Sequence, residues 1–369
     1  MNEVLYLSLD SLQEGVGASQ VLAYMRKVQK LTSVTLISFE KVMPSSSQVQ
    51  DLSSTGITWI PLEFGKFGVI GGFGRVIRMW LLVDRSKIIH ARSTLPALAA
   101  MLKLPKFWIW DCRSLQADQR RALSKKQRAN LIFLIMRAIE YCLAKRADSI
   151  IVITNAVIPI MEKRYRINTS KIHVIPTCVD VERFHPTITP RSKTLRILFA
   201  GTFSSAYDID LINKLIASLK KSQHVEVTIA TSLGSTQLWQ KLDYDFLTSV
   251  PHHEMPKLIR SHDIGISVWK NDLGVCLKSV ASTKTAEFLA CGKPVIINSN
   301  QGDFGVLIEK HRAGIVTFGS SDAEIESYAR RLIELINDSS TFERCRNLVL
   351  EYYDLNQGVA ELIRIYEQV

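Results

Sequence analysis

Short apolar runs recur along the chain between amphipathic segments of helical length. They are VLYLSL (4–9), VTLISF (34–39), KIIHA (87–91), FWIWD (107–111), SIIVIT (149–154) and KIHVIP (171–176), followed by LRILFAG (195–201), VEVTIA (225–230), DIGISV (263–268) and KPVIIN (293–298). These runs do not alternate apolar with polar residues, so they predict strands buried on both faces, and the segments between them predict crossover helices. The fold class this implies is α/β with mostly parallel sheets. The pattern pauses at HPTITPRSKT (185–194), where Pro186 and Pro190 stand among Ser, Thr and basic residues, and then restarts. Two doubly wound domains are therefore expected, 1–185 and 195–345, with a linker at 186–194. The tail 346–369 carries Leu348, Leu355, Leu362 and Ile365 at helical spacing. It predicts terminal helices, with a return to the first domain as one option. Ligands of such sheets bind beyond the carboxyl ends of the strands, which places the expected site in a cleft between the domains.

The 369 residues are 47% apolar and 22% charged, which excludes a disordered chain, a collagen and a small disulfide scaffold. The net charge of +11 is unevenly spread: residues 1–185 hold 26 Lys and Arg against 14 Asp and Glu, and the rest hold 20 against 21. A basic half points to a polyanionic partner for one domain, either a membrane surface or a nucleic acid. No recognition-helix or RNA-binding motif accompanies the charge, and aromatics do not interleave with the basic run, so no nucleic acid is expected. The six cysteines (112, 142, 178, 276, 291 and 345) form no CxxC pair, which fits a reduced, cytosolic compartment. The start MNEVLYLSLD lacks the basic opening and long apolar stretch of a signal peptide. No run reaches the roughly 18 to 20 apolar residues of a membrane span, so any membrane contact is expected to be peripheral.

Two stretches carry candidate chemistry. After the first strand, Gly15 and Gly17 precede a helical pattern, where backbone amides can face an anion; two glycines can equally just make the turn. Their spacing is not the dinucleotide fingerprint, which argues against a dehydrogenase. The sharper stretch is VASTKTAEFLACGKPVIINSNQGDFGVLI (280–308), in which Lys284 and Glu287 lie three apart at a helix start and so share a face. A carboxylate there can accept from ribose hydroxyls while the lysine and helix dipole meet a pyrophosphate; the same pair can also be a surface ion pair. Asp208-Ile209-Asp210 has the spacing of a metal-binding DxD, but it opens a helix and fits a capping cluster better. In the basic half, FGKFGVIGGFGRVIRMWLL (64–82) mixes aromatics with Lys66, Arg75 and Arg78. Residues 113–146 add nine cations, Arg120, Arg121, Lys125 and Lys126 among them. Such a surface can lie on anionic lipid, or can be a solvated helix face.

The combination SxxKxxEFLACGKPVI, IPTCVDVERF (175–184), GVGASQV, IIHARS (88–93) and WIWDCRSLQADQRR (108–121), in this order through nearly the whole chain, resembles glycosyltransferase family 4. The resemblance implies the GT-B fold, two Rossmann-like domains facing a central cleft, with the acceptor bound mainly by the first and a nucleotide-sugar donor by the second. It implies a retaining transferase with no cofactor and no metal, in which the leaving phosphate itself takes the acceptor proton. Glu287 then corresponds to the ribose-binding glutamate and Lys284 to a phosphate contact. Gly201 corresponds to the glycine that approaches the donor phosphates, with Tyr207 where a basic pair is usual. Gly302 and Asp303 correspond to the loop at the sugar. The first glutamate of the family's motif is replaced by Ser279. Arg113 stands where many members place an active-site histidine, and His90 ends a strand on the acceptor side. The expected activity is extension of a lipid-linked saccharide in surface polysaccharide or lipopolysaccharide assembly, at the inner face of the plasma membrane. Transfer to a soluble acceptor, nucleotide-sugar epimerisation and a non-catalytic partner subunit are the alternatives.

Overall fold

In the computed structural model, residues 3–13, 15–123, 129–187, 193–231 and 237–368 are described. The chain divides into two compact units, residues 1–176 with 355–369, and residues 177–354. The first holds β1 (Val4–Leu7), β2 (Val34–Glu40), β3 (Ile57–Glu63), β4 (Ile88–Arg92), β5 (Trp108–Cys112), β6 (Ser149–Val152) and β7 (Ile172–Val174). All pair in parallel, in the order β3-β2-β1-β4-β5-β6-β7. The second holds β8 (Leu195–Ala200), β9 (Val225–Ala230), β10 (Phe246–Thr248), β11 (Ile264–Ser267), β12 (Val295–Asn298) and β13 (Gly314–Thr317), parallel in the order β10-β9-β8-β11-β12-β13. In each sheet the strand order reverses once, between β1 and β4 and between β8 and β11. The loops leaving those strands border the crevice where α/β sheets take ligands. The α/β, doubly wound expectation holds for both units.

Burial explains why the apolar runs became strands. Every residue of β1, β2, β4, β5 and β6 is buried, as a parallel strand covered by helices on both faces requires. In the second unit the helix Ile209–Lys220 lays Leu211, Leu215, Ile216 and Leu219 into the core that contains Ile197 and Phe199 of β8. Its N-terminus is capped by Asp208, whose carboxylate accepts from the Leu211 amide at 3.1 Å. The Asp208-Ile209-Asp210 sequence is thus a helix cap.

The boundaries differ from those expected at 185 and 346. Residues 177–187 belong with the second unit because Arg346 donates to the carbonyls of Val181 (2.9 Å), Phe184 (2.7 Å) and Ala290 (3.0 Å), and the Val179 amide donates to Tyr353 O at 2.8 Å. Part of the expected linker, 188–192, lies outside the described residues. The terminal segment splits: the helix Thr341–Tyr352 stays with the second unit, and the helix Leu355–Tyr366 joins the first. There it buries Leu355, Val359, Leu362, Ile365 and Tyr366 and packs on the helix Ala23–Val28. Among the described residues no helix is long and apolar enough to cross a membrane.

Gly265 in β11 has no room for a side chain, since a Cβ there would stand 2.5 Å from the Phe288 ring. Gly265→Ala is expected to destabilise the second unit by about 1–3 kcal/mol through overpacking. Gly74→Ala, at an open helical position, should instead be neutral or stabilise by up to about 1 kcal/mol. Denaturant unfolding of both variants checks the contrast.

Candidate active site

At the reversal of the second sheet, β8 runs into Gly201, whose φ of +110° suits glycine. A Cβ at this position would come within 3.3 Å of Lys284 Nζ, so the glycine leaves space for the ammonium group. Lys284 lies in the first turn of the helix Thr283–Ala290, whose N-cap residue Ser282 makes no side-chain capping bond. Its Nζ donates to Tyr207 Oη at 2.6 Å and stands 4.5 and 4.6 Å from the ring centroids of Tyr207 and Phe199. Two aromatic faces and one phenol oxygen therefore hold a single cation beside a glycine and a helix N-terminus. This is an arrangement for an anion.

One turn further along the helix, Glu287 is 5% exposed and accepts from His252 Nε2 at 3.0 Å. His252 is held from behind: Arg183 donates to its carbonyl, and its ring packs on Phe184 with centroids 5.9 Å apart. The ERF end of the IPTCVDVERF stretch thus serves to seat a histidine against Glu287. His252 was not anticipated from the sequence. It sits in a Pro-His-His-Glu turn with no periodicity, and only the fold brings it to a residue 35 positions away.

The remaining residues expected at the donor are placed as follows. Gly302, at φ +47°, donates its amide to Leu277 O at 2.8 Å, and Asp303 precedes the helix Phe304–His311. Ser279 is buried and its hydroxyl donates to Cys276 O at 3.0 Å, so that proton is committed within its own turn rather than offered to a sugar. A buried amide network, also unanticipated, shapes the neighbouring loops. Asn298 Oδ1 accepts from Gln301 Nε2 at 2.7 Å and from the Trp269 amide at 2.9 Å, and Asn298 Nδ2 donates to Asn271 Oδ1 at 3.3 Å. Trp269 in turn packs on Tyr207, with ring centroids 5.1 Å apart. The second unit therefore brings Gly201, Tyr207, Lys284 and Glu287 to one end of its sheet, whereas Gly15, Gly17, His90 and Arg113 belong to the first unit.

In the first unit, the loop after β1 is clamped by Glu40, at the carboxyl end of β2. Its buried carboxylate accepts from Ser11 Oγ (2.5 Å), the Leu12 amide (3.0 Å), Gln13 Nε2 (3.1 Å) and Ser38 Oγ (2.6 Å). Gly15 takes φ +55°, and a Cβ on Gly17 would overlap the Ser11 carbonyl, so both glycines are required by the backbone itself. Beyond β4 and β5, Asp111 gathers Arg92, Arg113 and His90 at 3.4 Å each, and Arg92 also meets Asp10 at 2.7 Å. The two guanidinium groups and the His90 imidazole hold the Asp111 carboxyl well below the usual carboxylate range against the cost of burial. These side chains line a small cavity with Tyr6, Gln20 and Tyr24. Arg113 pairs with Asp111, and its Nη2 has no hydrogen-bond partner among the described residues. Asp118 pairs instead with Arg137 and Arg164.

Two expectations for the acceptor and membrane side change. His90 is buried, with Nδ1 2.7 Å from Tyr366 Oη, so it joins the sheet to the terminal helix instead of facing a partner. Arg75 is buried and donates to the carbonyls of Phe64 and Lys66 while stacking on the Phe64 ring, which removes it from any lipid contact. Arg78 lies over the Phe39 ring and is partly exposed; Arg120 and Arg121 are exposed. Lys125 and Lys126 lie outside the described residues.

Burial lowers the proton affinity of His90, opposed by Asp111. The folded chain therefore refuses a proton that the unfolded chain accepts below about pH 6.5, and stability that is complete above that pH falls as acid is added. His90→Gln should flatten the stability-versus-pH slope between about pH 6.5 and 5 by up to about 1.4 kcal/mol per pH unit. Denaturant titrations across this range check it, and an unchanged slope would count against a buried neutral imidazole.

Comparison with known proteins accords with this geometry. Residues 23–183 match the family model described as Glycosyltransferase Family 4, and residues 211–364 match one described as Glycosyl transferase-like. No curated protein sequence matches significantly. Among solved structures, sucrose-phosphate synthase from Thermosynechococcus elongatus aligns over 100% of this chain and 99% of its own, with a TM-score of 0.73 at 11% identity. HepE from Anabaena, in complex with UDP and glucose, aligns over 100% of both chains with a TM-score of 0.72 at 13% identity. WaaG, a glycosyltransferase involved in lipopolysaccharide biosynthesis, aligns over 98% of this chain and 99% of its own with a TM-score of 0.70 at 13% identity. Both units are thus Rossmann-like parallel sheets of the GT-B fold, and both halves match glycosyltransferase models, the N-terminal half that of family 4.

Proposed function

We propose that the protein is a retaining transferase that moves a sugar from a nucleotide-sugar donor to a lipid-linked saccharide at the cytoplasmic surface of a membrane. The observation that carries the donor half is the pairing of Lys284 with Glu287 on one helix face, beside Gly201. Glu287 accepts from the ribose hydroxyls. The Lys284 ammonium, preoriented by Tyr207, and the N-terminal end of its helix stabilise the charge that develops on the departing diphosphate. Gly302 and Asp303 border the sugar. The leaving phosphate takes the acceptor proton on the face it departs from, so the scheme requires no protein base and no metal. The complexes of HepE with UDP and with UDP-glucose support a nucleotide-sugar donor by likeness of fold.

The lipid half of the reading rests on an exposed apolar surface of the first unit. The helix Gly68–Leu82 and the residue before it expose Phe67 (76%), Ile70 (85%) and Phe73 (68%), with Val69, Ile77, Trp80 and Leu81 along the same helix. The helix Thr94–Lys103 packs against it and also against the helix Ala129–Arg146. Those two helices and the residue after the first expose Leu102, Leu104, Leu131, Leu134 and Ile135. A soluble surface rarely gathers so many large apolar side chains without a partner. The cations of the basic half, Lys103 stacked on Trp80 among them, complement anionic headgroups at about 1 kcal/mol each. Lipopolysaccharide assembly by WaaG is a parallel for such an acceptor.

Turnover of nucleotide sugars with a polyprenyl-diphosphate-linked saccharide tests the activity. Lys284→Ala should cut kcat/KM by about 100-fold or more, and Glu287→Ala should weaken donor binding about 10- to 100-fold, both with unchanged melting; unaltered kinetics would sink the donor assignment. Membrane docking is read by co-sedimentation with anionic vesicles. Replacing Phe67, Ile70 and Phe73 together by Ser should reduce binding at least about tenfold, given about 1.5–3 kcal/mol per fully buried side chain. Undiminished binding would contradict the docking face.

A further inference from the structure

Resting on the nucleotide reading of Glu287, we propose that His252 is a positioning residue that aims the Glu287 carboxylate and so sets how strictly the site demands the vicinal diol of a ribonucleotide. Among the described residues, the His252 imidazole is the one side-chain partner of this carboxylate. A carboxylate offers about four lone-pair sites on two oxygens. His252 Nε2 occupies Oε1, which fixes the plane of the group and leaves Oε2 to accept from a ligand. The side chain of Glu287 is 7% exposed and that of His252 is 31% exposed, so the acid is the more enclosed of the two.

The histidine is itself fixed by groups that do nothing else for the donor. Arg183 donates to its carbonyl and lies over the Phe184 ring, and that ring packs against the imidazole. Arg346 then ties the Phe184 carbonyl to Ala290 O, at the far end of the helix that carries Glu287. Helix, carboxylate, imidazole and the Arg183-Phe184 segment therefore close a ring of contacts. An acid held in one orientation recognises two adjacent hydroxyls better than a rotating one, because the ordering cost is met before the ligand arrives. His252 acts through Glu287 and does not itself contact the reacting atoms.

Calorimetric titration of the full chain with UDP, GDP and ADP, followed by the 2′-deoxy form of the tightest binder, tests this. The wild type should prefer the ribonucleotide by about 10- to 100-fold, and Glu287→Ala should abolish the preference. His252→Ala should shrink the preference to within about threefold, chiefly by weakening the ribonucleotide, whereas His252→Gln, which keeps a donor for Oε1, should restore most of it. Retention of the wild-type preference in His252→Ala would overturn the proposal while leaving the role of Glu287 intact. So would an equal loss for ribo and deoxy forms, which signals damage to the fold rather than lost aim. Absence of any nucleotide binding, or of any preference in the wild type, would overturn both.

Discussion

A parallel sheet covered by helices on both faces has one edge where polar chemistry can be placed, the row of loops at the carboxyl ends of its strands. Both units obey this constraint, and the rest of the molecule follows from it. Strands β1, β4 and β5 are buried throughout, so their charged residues collect at their ends as Arg92 and Asp111, with Arg113 just beyond. In the second unit the same geometry delivers Gly201 after β8, Trp269 after β11 and the Asn298 amide at the end of β12. The helix Thr283–Ala290 then supplies both a cation and an acid to that edge from a single turn of backbone. The proposed recognition of a diphosphate and a ribose thus draws both groups from one helix.

The two side chains on that helix are held differently. Lys284 is confined by Phe199 and Tyr207, both members of the buried core cluster, so its position is a consequence of packing. Glu287 is confined by a histidine whose place depends on Arg183, Phe184 and Arg346. The first contact survives any change that leaves the core intact. The second can be altered at a single, partly exposed residue, and the proposed tuning of donor stringency is placed there.

Much of this was legible in the residues, for identifiable reasons. The central strands announce themselves because double-sided burial demands unbroken apolar runs. The strands β3, β10 and β13, which no apolar run was read to predict, are all sheet edges. β3 is only partly buried and includes Pro61, and β10 has three residues and an exposed Phe246, so neither carries that signal. The shared face of Lys284 and Glu287 was visible because spacing along one helix is a local property, whereas Gly201 was pointed to by the resemblance alone. His252 and the Asn298–Gln301 network were not, since their partners are remote in sequence. The unit boundary was displaced for the same reason: Arg346 claims the Val181 and Phe184 carbonyls from more than 160 positions away. Charge was legible only in sum, and did not tell that Arg75 and His90 would be buried while Arg120 and Arg121 stayed exposed.

The central claim is that the second unit is the nucleotide-sugar site, with Lys284 and Glu287 as its contacts. Hydrogen–deuterium exchange of the full chain, with and without a saturating nucleoside diphosphate, tests it most directly. Slower exchange is expected in segments 200–208, 251–255 and 283–288, with the apolar helix Gly68–Leu82 unaffected. Protection confined to the first unit, with those three segments unchanged, would contradict it.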